Sequence, residues 1–278
     1  MFMSSLESGM FSSMGDKSEF ANFYRNLSSQ YQTPKAIIII SAHWEEKKFT
    51  VNCHKGQSNV PLLYDYSGFP QHLYSPHFLY PAVSNEALEN RVYNLISEEF
   101  GVNEVRKSSS PRGFDHGVFI PLKVIYPEAN IPIIQVSLTT DLDFNKHYRL
   151  GKSLSTLLSE NIMIIGSGQT THNLRGIGMN SLNTSANRYC QWLSDTLLKA
   201  HEDPVNSKHQ LINMMSNEDA EHMHPRTEHI IPLIVAFGAA FPNVDDKEIC
   251  LKQRVKKIYS EIVLETLSLD SYQFNDVN

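Results

Sequence analysis

A chain of 278 residues with 41% hydrophobic and 19% charged content can bury a full core and has the make-up of an ordinary globular protein. A net charge of -6 with no basic block argues against a nucleic-acid partner, and no apolar run approaches the ~20 residues of a membrane-spanning helix. Met1 to Phe20 lacks a basic stretch followed by an apolar core, so no secretory signal is expected. The three scattered cysteines, Cys53, Cys190 and Cys250, suit buried thiols in a reducing, cytoplasmic setting.

Asp16 to Tyr31 predicts a helix, with Phe20, Phe23, Tyr24 and Leu27 on one face and Asp16 as its cap. Thr33-Pro34 ends it, and Ile37-Ile38-Ile39-Ile40 follows as a strand buried on both faces, running out near His43. Phe49 to Cys53 alternates as a second strand. Asn59 to Pro81 is irregular and aromatic, the pattern of a functional loop or structured lid. Asn85 to Phe100 predicts a helix capped by Ser84 and stopped by Gly101. After a short strand over Val102 to Arg106, a polar loop leads to His116, and Gly117 to Tyr126 has helical spacing that Pro121 limits to a short helix.

Ile131 to Leu138 predicts a strand, Phe144 to Leu158 a helix, and Ile162 to Ile165 a buried strand ending in Gly166-Ser167-Gly168. Asn187 to Lys199 predicts a helix, whereas residues 203 to 225 are polar and carry no clear period. Thr227 to Phe241 is apolar and helical, with Pro232 placing His229 at or before the first turn. Val255 to Phe274 predicts one or two strands. Strands alternating with helices imply a single α/β domain over 1–278, with a central mostly parallel or mixed sheet flanked by helices.

Chemistry concentrates on histidine, of which there are 12. In open parallel sheets, reacting groups gather at the carboxyl ends of strands. His43 and His172 each follow an apolar strand, and if those strands are neighbours both imidazoles lie over one sheet edge. His116 and His229, each near a helix start, could converge there. Neutral imidazoles are common ligands of iron and zinc, and two or three with open positions make a catalytic site. A lone histidine more often just satisfies a buried hydrogen bond, and no HExxH or CxxC pattern is present. His54, His147, His201 and His209 are expected at the surface, and His222 and His224 in a solvated loop. His72 and His77 fall in the aromatic loop, and Trp44 reads as a core or pocket-wall aromatic. Gly166-Ser167-Gly168 has neither a nucleotide-binding nor a GxSxG setting.

Five motifs occur in order: Ser41-Ala42-His43-Trp44, Gly68-Phe69-Pro70-Gln71, Gly113-Phe114-Asp115-His116-Gly117, His172-Asn173-Leu174-Arg175, and Glu228-His229 with Pro232-Leu233. On these, the chain from about Lys35 onward resembles the class III extradiol ring-cleaving dioxygenases, in particular the 4,5-DOPA extradiol dioxygenase group. The resemblance implies a non-haem metal, Fe(II) or alternatively Zn(II), with dioxygen as co-substrate and a small-molecule catechol such as DOPA as substrate. By resemblance, His43 and His229 match metal-ligand positions, His172 a ligand or acid–base group, and His116 a histidine that contacts substrate or dioxygen. Tyr66, Ser67 and Phe69 fall in the substrate loop. As an acid–base group, His172 would take a proton from the catechol and later return one, which asks for a pKa near neutrality.

The family pattern has a further metal-binding histidine before the Ser-Ala-His-Trp segment, and here His43 is the first histidine. The expectation is a chain shortened at its N-terminus, with a weakened metal site and the Ile-rich strand left with an unpaired edge. The alternative is a non-catalytic binding protein on the same fold. Metal-dependent hydrolysis lacks an evident carboxylate beside the histidines. Oligomeric state is not legible in the sequence.

Overall fold

In the computed structural model, the isoleucine run Ile37–Ile40 is fully buried in the middle of a sheet, within strand β1 (Ala36–Glu46). The structure describes residue 15 and residues 17–246 and 250–274. Their contacts form two compact units: Met1–Asp141 with Thr156–Ser167, and Leu142–Ser155 with Gly168–Asn278.

The first unit carries a five-stranded sheet in the order β3-β2-β4-β1-β5. Its other strands are β2 (Phe49–Val51), β3 (Val105–Lys107), β4 (Ile133–Thr139) and β5 (Ile162–Ser167). The pairs β1–β4, β1–β5 and β2–β3 are parallel, and β2–β4 is antiparallel. Strand β1 therefore has a neighbour on both sides, and the expected unpaired edge on the Ile-rich strand does not exist. Full burial of four isoleucines, at about 1.5–3 kcal/mol each, makes this strand the centre of the unit's core.

Helices α1 (Glu19–Leu27), α2 (Glu86–Phe100) and α3 (His116–Ile125) accompany the sheet. Ser18 caps α1, accepting from the Ala21 N–H at 3.1 Å; Asp16, expected there, lies outside the described residues. Asn85 rather than Ser84 caps α2, accepting from the Leu88 N–H at 3.0 Å. Pro121 sits inside α3 without ending it.

The second unit is built on helices α4 (Phe144–Leu154), α5 (Asn180–Leu198), α6 (Pro204–Ile212), α7 (Ala220–Met223) and α8 (Ile231–Ala240). Its core gathers Tyr189, Leu193, Met214, Ile234 and Phe237, and the Tyr148 hydroxyl donates to the Phe241 carbonyl at 2.6 Å. The polar stretch 203–225 thus holds two helices. Each buries only a few apolar side chains, Leu211 in α6 and Ala220 and Met223 in α7, too few to set a period.

Two small antiparallel sheets complete this unit. β6 (Thr171–His172), β9 (Leu267–Ser268) and β8 (Ile262–Val263) are ordered β6-β9-β8, and β7 (Val255–Tyr259) pairs with β10 (Ser271–Phe274). The fold is mixed α/β with a central, mostly parallel sheet and helices flanking it, as the alternating pattern predicts.

Candidate functional site

In the first unit the site is made by an irregularity in the central strand. β1 and β4 are in register up to Ile40 opposite Val136 and again from Glu45 opposite Leu138, so Ser41–Trp44 bulge against Ser137 alone. The pairing with β5 stops at Ser41–Ser167. The strand does not run out at His43; it bulges there and continues to Glu46, and such a bulge re-aims the side chains it carries.

A buried carboxylate holds the bulge in place. Asp115, fully buried, accepts hydrogen bonds from Ser41 Oγ at 2.7 Å, Arg112 at 2.8 Å and Gln135 Nε2 at 2.6 Å. Ser41 Oγ in turn accepts from the His43 N–H at 3.2 Å, while Arg112 donates to the His43 carbonyl at 3.2 Å and lies over the Trp44 ring. Asn52 fixes the Arg112 backbone from both sides, donating to its carbonyl and accepting from its N–H. Gly117 is required here, because a Cβ on it would come within 2.3 Å of Ser41 Oγ.

His43 and His116 meet within this frame, their ring centroids 3.8 Å apart. Asp65 stands beside both: its Oδ1 is 2.7 Å from His116 Nδ1 and 3.0 Å from the His116 N–H, and its Oδ2 is 3.6 Å from His43 Nδ1. Burial pushes the Asp65 carboxyl up, but the hydrogen bonds from the His116 ring and backbone and the electrostatic pull of the two imidazoles outweigh it and leave the carboxyl below its ordinary range.

The neighbouring loop is an aromatic stack. Tyr66 packs edge-on to His116 at 5.7 Å and to Phe69 at 5.6 Å. Its hydroxyl donates to the Leu73 carbonyl, so what this tyrosine presents to its surroundings is the ring. Ser67 is exposed.

The second unit brings His172 and His229 together, ring centroids 3.5 Å apart, with Glu228 alongside. Each is set by backbone that is clamped locally. His172 lies on β6, where Thr171 Oγ1 donates to the Thr266 carbonyl and accepts from the Ser268 N–H, while Thr266 Oγ1 donates to the Asn173 carbonyl. Asn173 also donates to the His222 carbonyl and accepts from the N–H groups of Arg175 and Gly176. His229 precedes α8, with its carbonyl seated against Gly168, where a Cβ would fall 2.1 Å from that oxygen. Ligand atoms of His172, Glu228 and His229 all lie within 4.8 Å of one another, and the same is true of His43, Asp65 and His116.

Burial pushes His172 down to about 4, so its imidazole is neutral near pH 7. A neutral ring offers a lone pair to a metal or proton, but the near-neutral pKa expected of an acid–base group is not what its surroundings impose.

Several expectations are overturned. His54, His147 and His224 are buried, not at the surface: His54 against the Phe114 ring, His147 bonded to the Asp143 carbonyl, and His224 with Nε2 2.9 Å from the Thr170 carbonyl. A carboxylate does stand beside each histidine pair, Asp65 in one unit and Glu228 in the other. His209 and His222 are exposed as expected, and His72 and His77 of the aromatic loop are exposed as well. Asp65, Arg112 and His224 had no expected role. Asp65 carried the one available sign, an acidic residue alone among tyrosines in a long loop.

A family model for the catalytic LigB subunit of aromatic ring-opening dioxygenase matches residues 9–262. The chain is 38% identical to a 4,5-DOPA dioxygenase extradiol of Beta vulgaris, over 76% of this chain and 75% of that protein. It is 31% identical to a protein of the same name from Escherichia coli K12, over 79% and 78%. Among solved structures, an uncharacterized Escherichia coli K12 protein superposes with a TM-score of 0.70 at 26% identity, covering 91% of each chain.

Proposed function

This chain belongs to the family of the catalytic LigB subunit of aromatic ring-opening dioxygenases, and from that premise we propose that it opens the ring of a catechol such as DOPA beside the diol. It is an extradiol dioxygenase; the catechol, the metal and the residue roles are the proposal. The non-catalytic alternative is not favoured by these matches.

The observation that carries the reading is the donor set of the second unit. Two imidazoles and one carboxylate, with ligand atoms within 4.8 Å of one another, have the chemistry of non-haem Fe(II) sites with open positions, and Zn(II) suits the same atoms. His172 and His229, with Glu228 beside them, fit the group the family implies. Adding His43 as a third donor rests on the family resemblance alone. A bound ion supplies Lewis acidity towards the catechol oxygens and redox contact with dioxygen.

The chain's own residues supply the rest. By the resemblance, His172 is the proton acceptor for a catechol hydroxyl wherever it is not itself a ligand; burial keeps its lone pair free for that but makes it a weak base. His116, at the first turn of α3, contacts substrate or dioxygen, with its ring held by Asp65. By the resemblance, the rings of Tyr66 and Phe69 and the hydroxyl of Ser67 belong to the loop that meets the substrate. Reading 1–278 as one catalytic domain is part of this proposal, supported by a family match that runs through both units. Three free thiols support a cytoplasmic setting.

The test is oxygen uptake by Fe(II)-loaded protein given DOPA or simpler catechols, with appearance of the yellow semialdehyde. Uptake that is lost in His229→Ala together with stoichiometric metal binding supports the assignment. Wild-type metal binding retained in that variant would contradict it.

A further inference from the structure

We propose that Asp65 is a positioning residue for this reaction, holding the His116 imidazole with its proton on Nδ1 and its lone pair on Nε2. Its part in the reaction rests on the dioxygenase reading; the placement of the proton does not.

Two aspartates divide the labour at the start of α3. Asp115 occupies the cap position of α3 but makes no capping bond, because its carboxylate is turned inward to Ser41, Arg112 and Gln135. The first N–H groups of a helix need an acceptor from elsewhere. Asp65 provides one: its Oδ1 accepts from the His116 N–H at 3.0 Å and lies 2.7 Å from Nδ1 of the same residue. One carboxylate oxygen thus grips backbone and ring together.

An ionised carboxylate has acceptors only, so the hydrogen in the 2.7 Å contact belongs to Nδ1. The second nitrogen, Nε2, is then the bare one in the neutral ring. At 3.6 Å, Oδ2 is too far from His43 Nδ1 for a hydrogen bond, so Asp65 acts on that ring through its charge.

The loop that carries Asp65 is tied to the strand of chain that leads into α3. The Leu63 N–H donates to the Phe114 carbonyl at 2.7 Å, and the Phe114 N–H to the Pro61 carbonyl at 2.9 Å. Asp65 and His116 are therefore anchored to one another by backbone as well as by side chain. With its side chain 18% exposed, Asp65 is shielded enough for the bond to hold one ring orientation and open enough to be substituted without emptying the core.

The test compares wild type, Asp65→Ala and Asp65→Asn as zinc-loaded, 15N-histidine-labelled protein, with His116 resonances assigned by their loss in His116→Gln. In wild type, His116 shows a protonated Nδ1 and a bare Nε2. Asp65→Ala populates both tautomers, and Asp65→Asn, which keeps an accepting oxygen, restores the wild-type one in large part. In the iron-loaded enzymes, kcat for ring cleavage falls about ten- to hundred-fold in Asp65→Ala with KM within about threefold, and recovers partly in Asp65→Asn. A merely structural role would lower the melting temperature and leave the tautomer alone. A wild-type His116 protonated on Nε2, or an Asp65→Ala protein with the wild-type tautomer and kcat, overturns the proposal. Should Asp65→Ala not fold, the wild-type tautomer and the Asp65→Asn kinetics still decide. Should wild type cleave no catechol at all, the dioxygenase reading fails, and the tautomer comparison still judges the role of Asp65.

Discussion

Replacing Asp115 tests the frame on which the first histidine cluster stands. Asp115→Ala takes the acceptor from Ser41 Oγ and Gln135 Nε2 and one acceptor from the Arg112 guanidinium, which keeps the His43 and Gly113 carbonyls. Ser41 and Gln135 are fully buried, so each loses its partner without gaining water, at about 1–3 kcal/mol apiece. The Arg112 side chain is 21% exposed and can recover part of its loss by hydration. The sum, about 3–5 kcal/mol, matches the usual cost of removing one partner from a buried ion pair.

Asp115→Asn should cost far less, about 1–2 kcal/mol. An amide oxygen can still accept from Arg112 and Gln135 while the amide nitrogen donates to Ser41 Oγ, so shape and two of the three bonds survive; the charge and the acceptor of the Ser41 hydroxyl are lost. Urea unfolding followed by circular dichroism measures both variants. An Asp115→Ala protein within about 1 kcal/mol of wild type would refute the idea that this carboxylate organises the bulge.

Three further predictions follow from individual contacts. His224 is buried and held at about 4 by that burial, against an ordinary 6.5, so on acidification the unfolded chain takes up its proton first. Stability is present in full above pH 6.5 and is lost as pH falls towards 4, by about 1.4 kcal/mol per unit for this one proton. His224→Gln keeps a donor for the Thr170 carbonyl but does not titrate. It should therefore flatten the pH slope of the unfolding free energy by about one proton, and an unchanged slope would rule the histidine out as its source.

Gly168→Ala forces a methyl towards the His229 carbonyl, at 2.1 Å before relaxation, and should cost about 1–3 kcal/mol while weakening metal binding in a zinc titration. Wild-type affinity would show that the Gly168 turn does not seat His229. Tyr66→Phe loses the bond to the Leu73 carbonyl but keeps the ring on His116, so about 1 kcal/mol of stability should go with kcat nearly unchanged. A large fall in kcat at an unchanged melting temperature would mean that the hydroxyl serves the substrate.

The sheet was legible because its code is local: a run of isoleucines buried on both faces reads as a central strand, and β1 is that strand. The caps were misread by one or two residues for a local reason too, since Ser84 and Asn85 are both good caps and only the backbone decides between them. The bulge at His43 was not legible, because it depends on Asp115, distant in sequence, drawing in Ser41. His172 lies on a short strand of its own, β6, beyond the Gly-Ser-Gly turn, and what locks it is the segment Thr266–Ser268, which shares no pattern with it. His54, His147 and His224 were misplaced because polar neighbours in sequence do not report burial in space; their solvent is excluded by residues from other elements. The carboxylates Asp65 and Glu228 carried no spacing that could pair them with histidines far away in the chain.

The central claim is cleavage of a catechol ring outside its diol with insertion of dioxygen. The most direct measurement is the product formed by Fe(II)-loaded protein from a catechol under labelled dioxygen, identified by mass spectrometry. The account predicts a ring-opened semialdehyde carboxylate formed with both oxygen atoms of one labelled dioxygen. A product cleaved between the two hydroxyl carbons, or an intact ring after stoichiometric iron binding, would contradict it.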